Sequence, residues 1–436
     1  MKAIVTSVLL VSALLAPTTV LAQDAGARPI SLDEAVRLAR RNSPDAIAAR
    51  NTVRSNAAAV RTRYAAFLPS LSFSSGVSKS RGSRYDNIRD EVVTSFSPWR
   101  GRHSFNAGID IFNGGERFYE LRRAKAQVDA SEASEIAQTF TVALNVKQQY
   151  YAVLAARESE SAARKQLEQA EQQLRAAVAR VAAGAATRSD SLRSSIEVGN
   201  ARLAILTAET QLNNANASLS RLVGSDDIVT AEVDIMAAET VSLTNSELLT
   251  LAEAGPAVQR SQASLSAAKA GRRSSWSAYL PNVSLSLSKS FQGQEDQFSF
   301  FGDPNLNNLS TSISVSLPLF NGLAREQSVV NAKIAQENAE AELRDIRLSQ
   351  RQLMIQQIGA FRTAEARVQI QLASVAAGEE DLRVQQERYN LGASTLLDLL
   401  TSQRTLDDAR RALIQARLDA RTAKAQIEAL IGRDLQ

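Results

Sequence analysis

The sequence predicts an all-α chain that also gives strands to a membrane β-barrel, with one structural unit written twice in tandem. Three observations predict it. Long proline-free stretches rich in Ala, Gln, Glu, Arg and Leu run through 115–183 and 323–391. Short runs such as "SLSFSSGVSK" and "NVSLSLSKSF" alternate apolar with small polar residues, the period of a strand wet on one face. Landmarks recur at a fixed offset: Asn113-Gly114 with Asn321-Gly322, Gly184 with Gly392, and Leu222-Val223-Gly224 with Leu430-Ile431-Gly432 all lie 208 residues apart.

Composition narrows the setting. The chain opens Met1-Lys2, continues apolar from Ala3 to Ala16, and places Val20 and Ala22 before Gln23. A basic start, a short apolar core and small residues at these spacings describe a cleavable secretory signal at 1–22. There is no cysteine, so the chain uses neither disulfides nor a lipid-bearing N-terminal cysteine. No later stretch holds the ~20 apolar residues that a spanning helix needs, which leaves a β-barrel as the only way across a membrane. The net charge of +4 is spread along helix faces where arginines alternate with acids. Such faces are solvated, and no nucleic-acid partner is expected.

The constant offset divides the chain. Repeat 1 is expected at 23–224, a linker at the equator of the molecule at 225–244, and repeat 2 at 245–436. The two "Leu-Pro" steps at Pro69 and Pro281 are 212 residues apart, so one connection differs by four residues. One architecture duplicated explains this better than two unrelated domains.

Each repeat orders its elements alike. A helical stretch, 31–66 or 245–278, ends at the proline, which lacks the amide a helix interior needs. A strand follows (about 68–80, or 281–291), then a loop, then a return strand (about 102–112, or 309–320). On the return strands His103, Phe105, Ala107, Ile109 and Ile111 share one face, as do Leu309, Thr311, Ile313, Val315, Leu317 and Leu319 opposite serines. Ten residues of strict alternation is the length of a tilted membrane strand. A half-buried strand of a soluble sheet would show the same pattern once, but not in four runs with serine opposite. Tyr64, Phe67, Trp276 and Tyr279 before the outgoing strands, and Phe112 and Phe320 after the returning ones, stand where an interfacial girdle belongs.

Long helices follow, about 115–183 and 323–391, each roughly 100 Å at 1.5 Å per residue. Glycine turns at Gly184 and Gly392 reverse the chain into shorter helices at about 187–223 and 395–431. Phe140, Leu144, Tyr151 and Leu154, and later Val368, Leu372, Val375 and Leu382, step in threes and fours. These are narrow coiled-coil seams.

Four strands cannot close a barrel, and an open edge in lipid strands backbone groups at several kcal/mol each. The chain must therefore complete a barrel with copies of itself. Two copies give eight strands and a filled interior; three give twelve and leave a bore, with twelve helices for a tube beneath. A passive porin would need more strands per chain and no long helices, while a periplasmic adaptor or structural coiled coil would need no hairpins. Enzymatic chemistry has no foothold. The single histidine, His103, lies on an apolar strand face, and Gly114-Gly115 lacks the lysine of a phosphate loop. No cofactor and no metal site is expected.

The order "SLDEAVRLARRNSPD", "FLPSLS", "FNGG" and "GAATRSD", repeated through "YLPNVS", "LFNG" and "YNLGASTLLDLL", resembles the TolC family of outer membrane efflux proteins over residues 30–435. The resemblance implies a homotrimer whose outer-membrane barrel continues into a periplasmic helical tunnel. It implies docking to a periplasmic adaptor and an inner-membrane pump, making an exit duct for drugs or secreted proteins. The cargo would be chosen by the pump. Asp398 matches an aspartate ringing the periplasmic entrance, and Tyr389 matches a tyrosine of the gate network. Ser189 and Asp190 match their partners in the first repeat. The second aspartate of the ring would fall at Thr401 and the gate arginine at Ser394, so the familiar lock is incomplete, with Arg188 its possible substitute. Turns 181–186 and 389–395, with Gly184, Ala185, Gly392 and Ala393 at their tips, match where adaptors dock. Ordinary helix-start chemistry would place both aspartates in the same positions.

Overall fold

The computed structural model describes residues 27–232, 244–295 and 307–435. The expected signal at 1–22, most of the linker and part of the second outer loop lie outside the described residues. In chain order the elements are β1 (Arg28–Ile30), α1 (Leu32–Asn42), α2 (Pro44–Ala65), β2 (Ser70–Ser78), β3 (Arg81–Asp86), β4 (Glu91–Phe96), β5 (Trp99–Asn113), α3 (Glu116–Ala182) and α4 (Arg188–Val223). Then come β6 (Val229–Ala231), α5 (Asn245–Glu253), α6 (Pro256–Ser275), β7 (Asn282–Glu295), β8 (Asn307–Ser316), α7 (Ala324–Asn390) and α8 (Leu396–Ile431). Both long helices have 67 residues and both shorter ones have 36.

Several elements differ from the sequence expectation. Each leading helical stretch is two helices. Pro44 opens α2 and Pro256 opens α6, the favoured first-turn site for a residue without an amide hydrogen. The last turn before Pro281 is a 3-10 helix, Trp276–Tyr279. β8 stops at Ser316, two residues before Pro318, because proline cannot extend the ladder. The first outer loop is itself a hairpin, β3 paired antiparallel with β4. A short parallel pair, β1 with β6, was not anticipated.

The main sheet runs β2-β5-β7-β8, all antiparallel. The β5–β7 pairing joins the two hairpins, so each repeat supplies two neighbouring strands. A register shift at Asp110/Phe112 marks a bulge near the inner end of β5, where bulges re-aim a strand. β2 and β8 are the sheet's edges.

The largest core lies where α1, α3 and α4 meet the β1–β6 pair. Ile30, Val146, Tyr150, Val153, Leu219 and Val229 are buried together there. Tyr150 donates a bifurcated hydroxyl bond to the carbonyls of Ile30 (3.1 Å) and Glu232 (3.2 Å), which fixes the strand pair on α3. The buried stripe of α3 runs through Val142, Val146, Tyr150 and Val153, and Phe140 and Leu144 of the expected seam are only half-buried beside it. A second core, around Met354, Ile358, Phe361 and Ile427, holds α5 on α7 and α8. Between the repeats, Lys147 Nζ meets Glu428 at 2.6 Å and Asp434 at 3.0 Å. Burial pulls the ammonium's pKa down, and hydrogen bonds and charge from the two carboxylates outweigh it to raise it.

Candidate channel lining, gate and docking turns

Strand register sorts the sheet into two faces. Ser74–Ser104–Ser290, Asn106–Ser288–Ser310 and Ser286–Ser312 stand in cross-strand rows on one side. Their hydroxyls bond across the strands: Ser74 with Ser104 at 2.6 Å, Ser286 with Ser312 at 2.7 Å, and Ser288 donates to Asn106 Oδ1 at 2.8 Å. The other side carries Phe73–Phe105, Ala107–Leu287, Ile109–Leu285–Ile313 and Val283–Val315. Its large side chains are bare, with Leu71 80% and Ile313 68% exposed. Water cannot be the solvent for that face, and a continuous patch of this size marks a membrane or partner contact.

Two departures from the apolar face sit near its outer end. Lys289 stands between Phe105 and Leu309, its ammonium 5.3 Å from the Phe291 ring centre. His103 is buried, with Nδ1 2.9 Å from the Ser75 hydroxyl. The exposed Lys289 suits an interfacial row where side chains reach headgroups.

The strands feed into the helices through two matching junctions. Arg117 donates to the carbonyls of Ala66 (3.2 Å) and Ile111 (3.1 Å) and covers the Phe67 ring at 5.0 Å. Arg325, at the repeat offset, donates to Pro318 (2.8 Å) and Leu319 (3.2 Å) and covers Tyr279 at 4.7 Å. The sequence reading missed both arginines; the signal was an arginine three residues after Gly114 and Gly322 in each repeat. Beside these junctions a cavity of about 740 Å³ opens between α3, α6 and α7. Asn282 and Ser316 of the polar face line it together with Glu116, Glu120 and Arg272, so the wet face of the sheet and charged residues of the helices share one cavity.

The far ends of the helix pairs hold the residues singled out by resemblance. Gly184 and Gly392 adopt φ of +70° and +76°. There the amides of Ala185 and Ala393 reach back to Arg180 and Arg388 at 2.8 Å each. This closure needs a left-handed residue, hence glycine. A Cβ added at either glycine would meet nothing within 4 Å, so both tips are free to be covered by something else.

Asp190 and Asp398 lie three residues after Thr187 and Thr395 and complete two capping boxes. Each carboxylate accepts from its threonine amide at 3.0 Å and hydroxyl at 2.8 Å. Both pKa values are lowered, Asp190 chiefly by the Thr187 hydroxyl and Asp398 chiefly by the Thr395 amide. Within one chain each carboxylate is thus held by its own helix start. Arg188 is exposed, and among the described residues of one chain the cations acting on Asp190 are Arg193 and Arg180. Ser189 is exposed as well, and Ser394 donates weakly to Gln385 O at 3.5 Å.

Tyr389 is buried among Leu396, Leu399 and Leu400. Its neighbour is Arg180 of the other repeat, whose guanidinium sits 4.5 Å over the ring and donates to the Tyr389 carbonyl at 2.7 Å. Arg180 was missed in the sequence. It and Arg388 are repeat equivalents, each four residues before its glycine.

A sheet wet on one face and bare apolar on the other, set on four long helices, defines an outer-membrane channel subunit. The chain belongs to the outer membrane efflux protein family, whose description matches residues 35–225 and 250–433. It is 28% identical to protein CyaE of Bordetella pertussis over 92% of this chain and 84% of the relative. It is likewise 28% identical to the pyoverdine export outer membrane protein OpmQ of Pseudomonas aeruginosa, over 92% and 83%. The crystal structure of the outer membrane protein VceC from Vibrio cholerae superposes with a TM-score of 0.78 at 17% identity, over 93% of this chain and 97% of that one. The fold is that of trimeric efflux channels with a barrel continued by a helical tunnel, located in the outer membrane and reaching into the periplasm. The family is one of transport channels, not enzymes.

Proposed function

We propose that three copies of this chain form the exit duct of a tripartite efflux or secretion assembly, docked to a periplasmic adaptor and an inner-membrane pump and gated at the Gly184 and Gly392 end. The observation that carries this reading is the junction cavity, which brings residues of the serine face together with charged residues of the helices. The apolar face then meets lipid, and both glycine tips remain open for an adaptor. The cargo is a drug or a secreted product, in keeping with the relative OpmQ, which is named for pyoverdine export.

Arg180 takes the place of the arginine absent at Ser394. It clasps Tyr389 from the opposite repeat and lends positive charge to Asp190. Six aspartates, two per subunit, ring the mouth as ionised groups, since their caps hold them below the usual carboxylate range. Ionised carboxylates attract cations.

In a reconstituted channel, Arg180→Ala should raise the open fraction by loosening the Tyr389 contact. Asp398→Ala should lower cation preference and weaken block by multivalent cations, with a smaller effect for Asp190→Ala because Arg180 and Arg193 offset its charge. If none of the three variants alters opening, selectivity or block, these residues are only helix ends and the gate lies elsewhere.

A further inference from the structure

The two arginines of β5 stand on the polar face of the sheet. From its outer end inward, the polar face of β5 reads Arg100, Arg102, Ser104, Asn106, Gly108 and Asp110. Arg100 lies in register with Ser78 on β2 and Gln294 on β7; Arg102 lies in register with Gly76 and Gln292. Both arginines are exposed, and neither forms an ion pair with a described residue. Arg117 and Arg325, by contrast, are committed to backbone carbonyls.

The only other charge on the polar face of the four strands is Asp110. It is eight residues farther along β5, roughly 27 Å at strand rise. That exceeds the ~8–10 Å over which salt lets charges feel one another, so Asp110 does not neutralise the pair. A guanidinium stays protonated at any working pH. Around a trimer, two neighbouring rows of the bore would hold six of them, and a low-dielectric wall focuses such a field.

We propose that Arg100 and Arg102 form a cationic ring just inside the outer mouth, which favours passage of anionic solutes and opposes multivalent cations. The ring rests on the channel reading and sets a charge gradient along the duct: carboxylates at the periplasmic mouth, guanidinia at the exit. Acidic Asp296 and Asp303 of the second outer loop fall outside the described residues.

The test uses the absence of cysteine from the chain. A single cysteine at Ser104, one row inward of Arg102 on the same face, is introduced into the full-length trimer in liposomes. Its reaction rates with an anionic sulfonatoethyl and a cationic trimethylammonioethyl methanethiosulfonate are measured, each normalised to a free thiol in solution. The anionic reagent should react roughly tenfold faster than the cationic one, the lower range of electrostatic steering. The ratio should fall toward one in 1 M salt, and toward one in the Arg100→Gln/Arg102→Gln pair, while Arg100→Lys/Arg102→Lys keeps it.

A ratio unmoved by salt and by the glutamine pair overturns the ring, as does a faster cationic reagent. The salt arm decides the matter in the otherwise native channel even if the glutamine pair fails to assemble. A cysteine that neither reagent reaches contradicts the wet bore itself, and so overturns the channel reading along with the ring.

Discussion

Arg117 and Arg325 each close a strand-to-helix junction by donating to two carbonyls that the turn leaves open, while stacking on an aromatic ring. A lysine has one compact ammonium and cannot reproduce a planar fork over a ring. Arg325→Gln should therefore lower stability by about 2 kcal/mol, the range for hydrogen bonds to a charged donor, and Arg325→Lys should recover little of it, as read by thermal melting of the trimer. The capping carboxylates give a pH signature. Their folded pKa values lie below an ordinary 3.8, so the stability they add is complete above that value and is lost as pH falls through the depressed values. The melting difference between native protein and Asp398→Asn should thus be present at pH 7 and shrink below about pH 3.8. Asp407 has the opposite sign. Burial raises its pKa, and Oδ2 has no hydrogen-bond partner. Ionising it opposes folding above its ordinary value, so Asp407→Asn should stabilise the protein at neutral pH and lose that advantage in acid.

At the scale of elements, the strands and long helices were legible because period-two alternation and unbroken helix-forming runs are local signals. The two glycine turns were legible for the same reason, and Gly184→Ala or Gly392→Ala should each cost about 1 kcal/mol through backbone conformation alone, since no neighbour obstructs the new methyl. Breaks at Pro44 and Pro256 were also written in the sequence, but a proline at a first helical position looks like continuation when the helices on both sides are strong. The β1–β6 pair was not legible: three-residue strands over 190 residues apart carry no periodicity, and only Tyr150 and its buried neighbours hold them. At the candidate gate the aspartates and Tyr389 could be placed from their motifs. Arg180 could not, because its partner comes from the other repeat and such a contact exists only after folding. Topology gives an element-scale test. Single cysteines in the 81–100 loop should label from outside intact cells, whereas cysteines at Gly184 or Gly392 should label only once the outer membrane is opened. The reverse accessibility would invert the orientation.

For the whole molecule, surface area states the same conclusion that strand counting reached. The chain exposes 28010 Å², against about 16,000 Å² expected for a compact monomer of its mass. Among the described residues the exposed surface includes bare apolar strand residues and the two edges of the main sheet. Lipid can cover the apolar face but cannot satisfy the edge amides and carbonyls of β2 and β8. Only another sheet edge can, and joining the β8 edge of one copy to the β2 edge of the next closes a ring. A ring of two leaves no open bore, whereas a ring of three leaves one wide enough for the serine face to line with water. The central claim is thus that one chain is a third of a channel. Native mass spectrometry of the mature protein, extracted in mild detergent and released from it in the gas phase, tests this most directly. A single species at three times the mass of the mature chain is the predicted result; a stable monomer or dimer would contradict it.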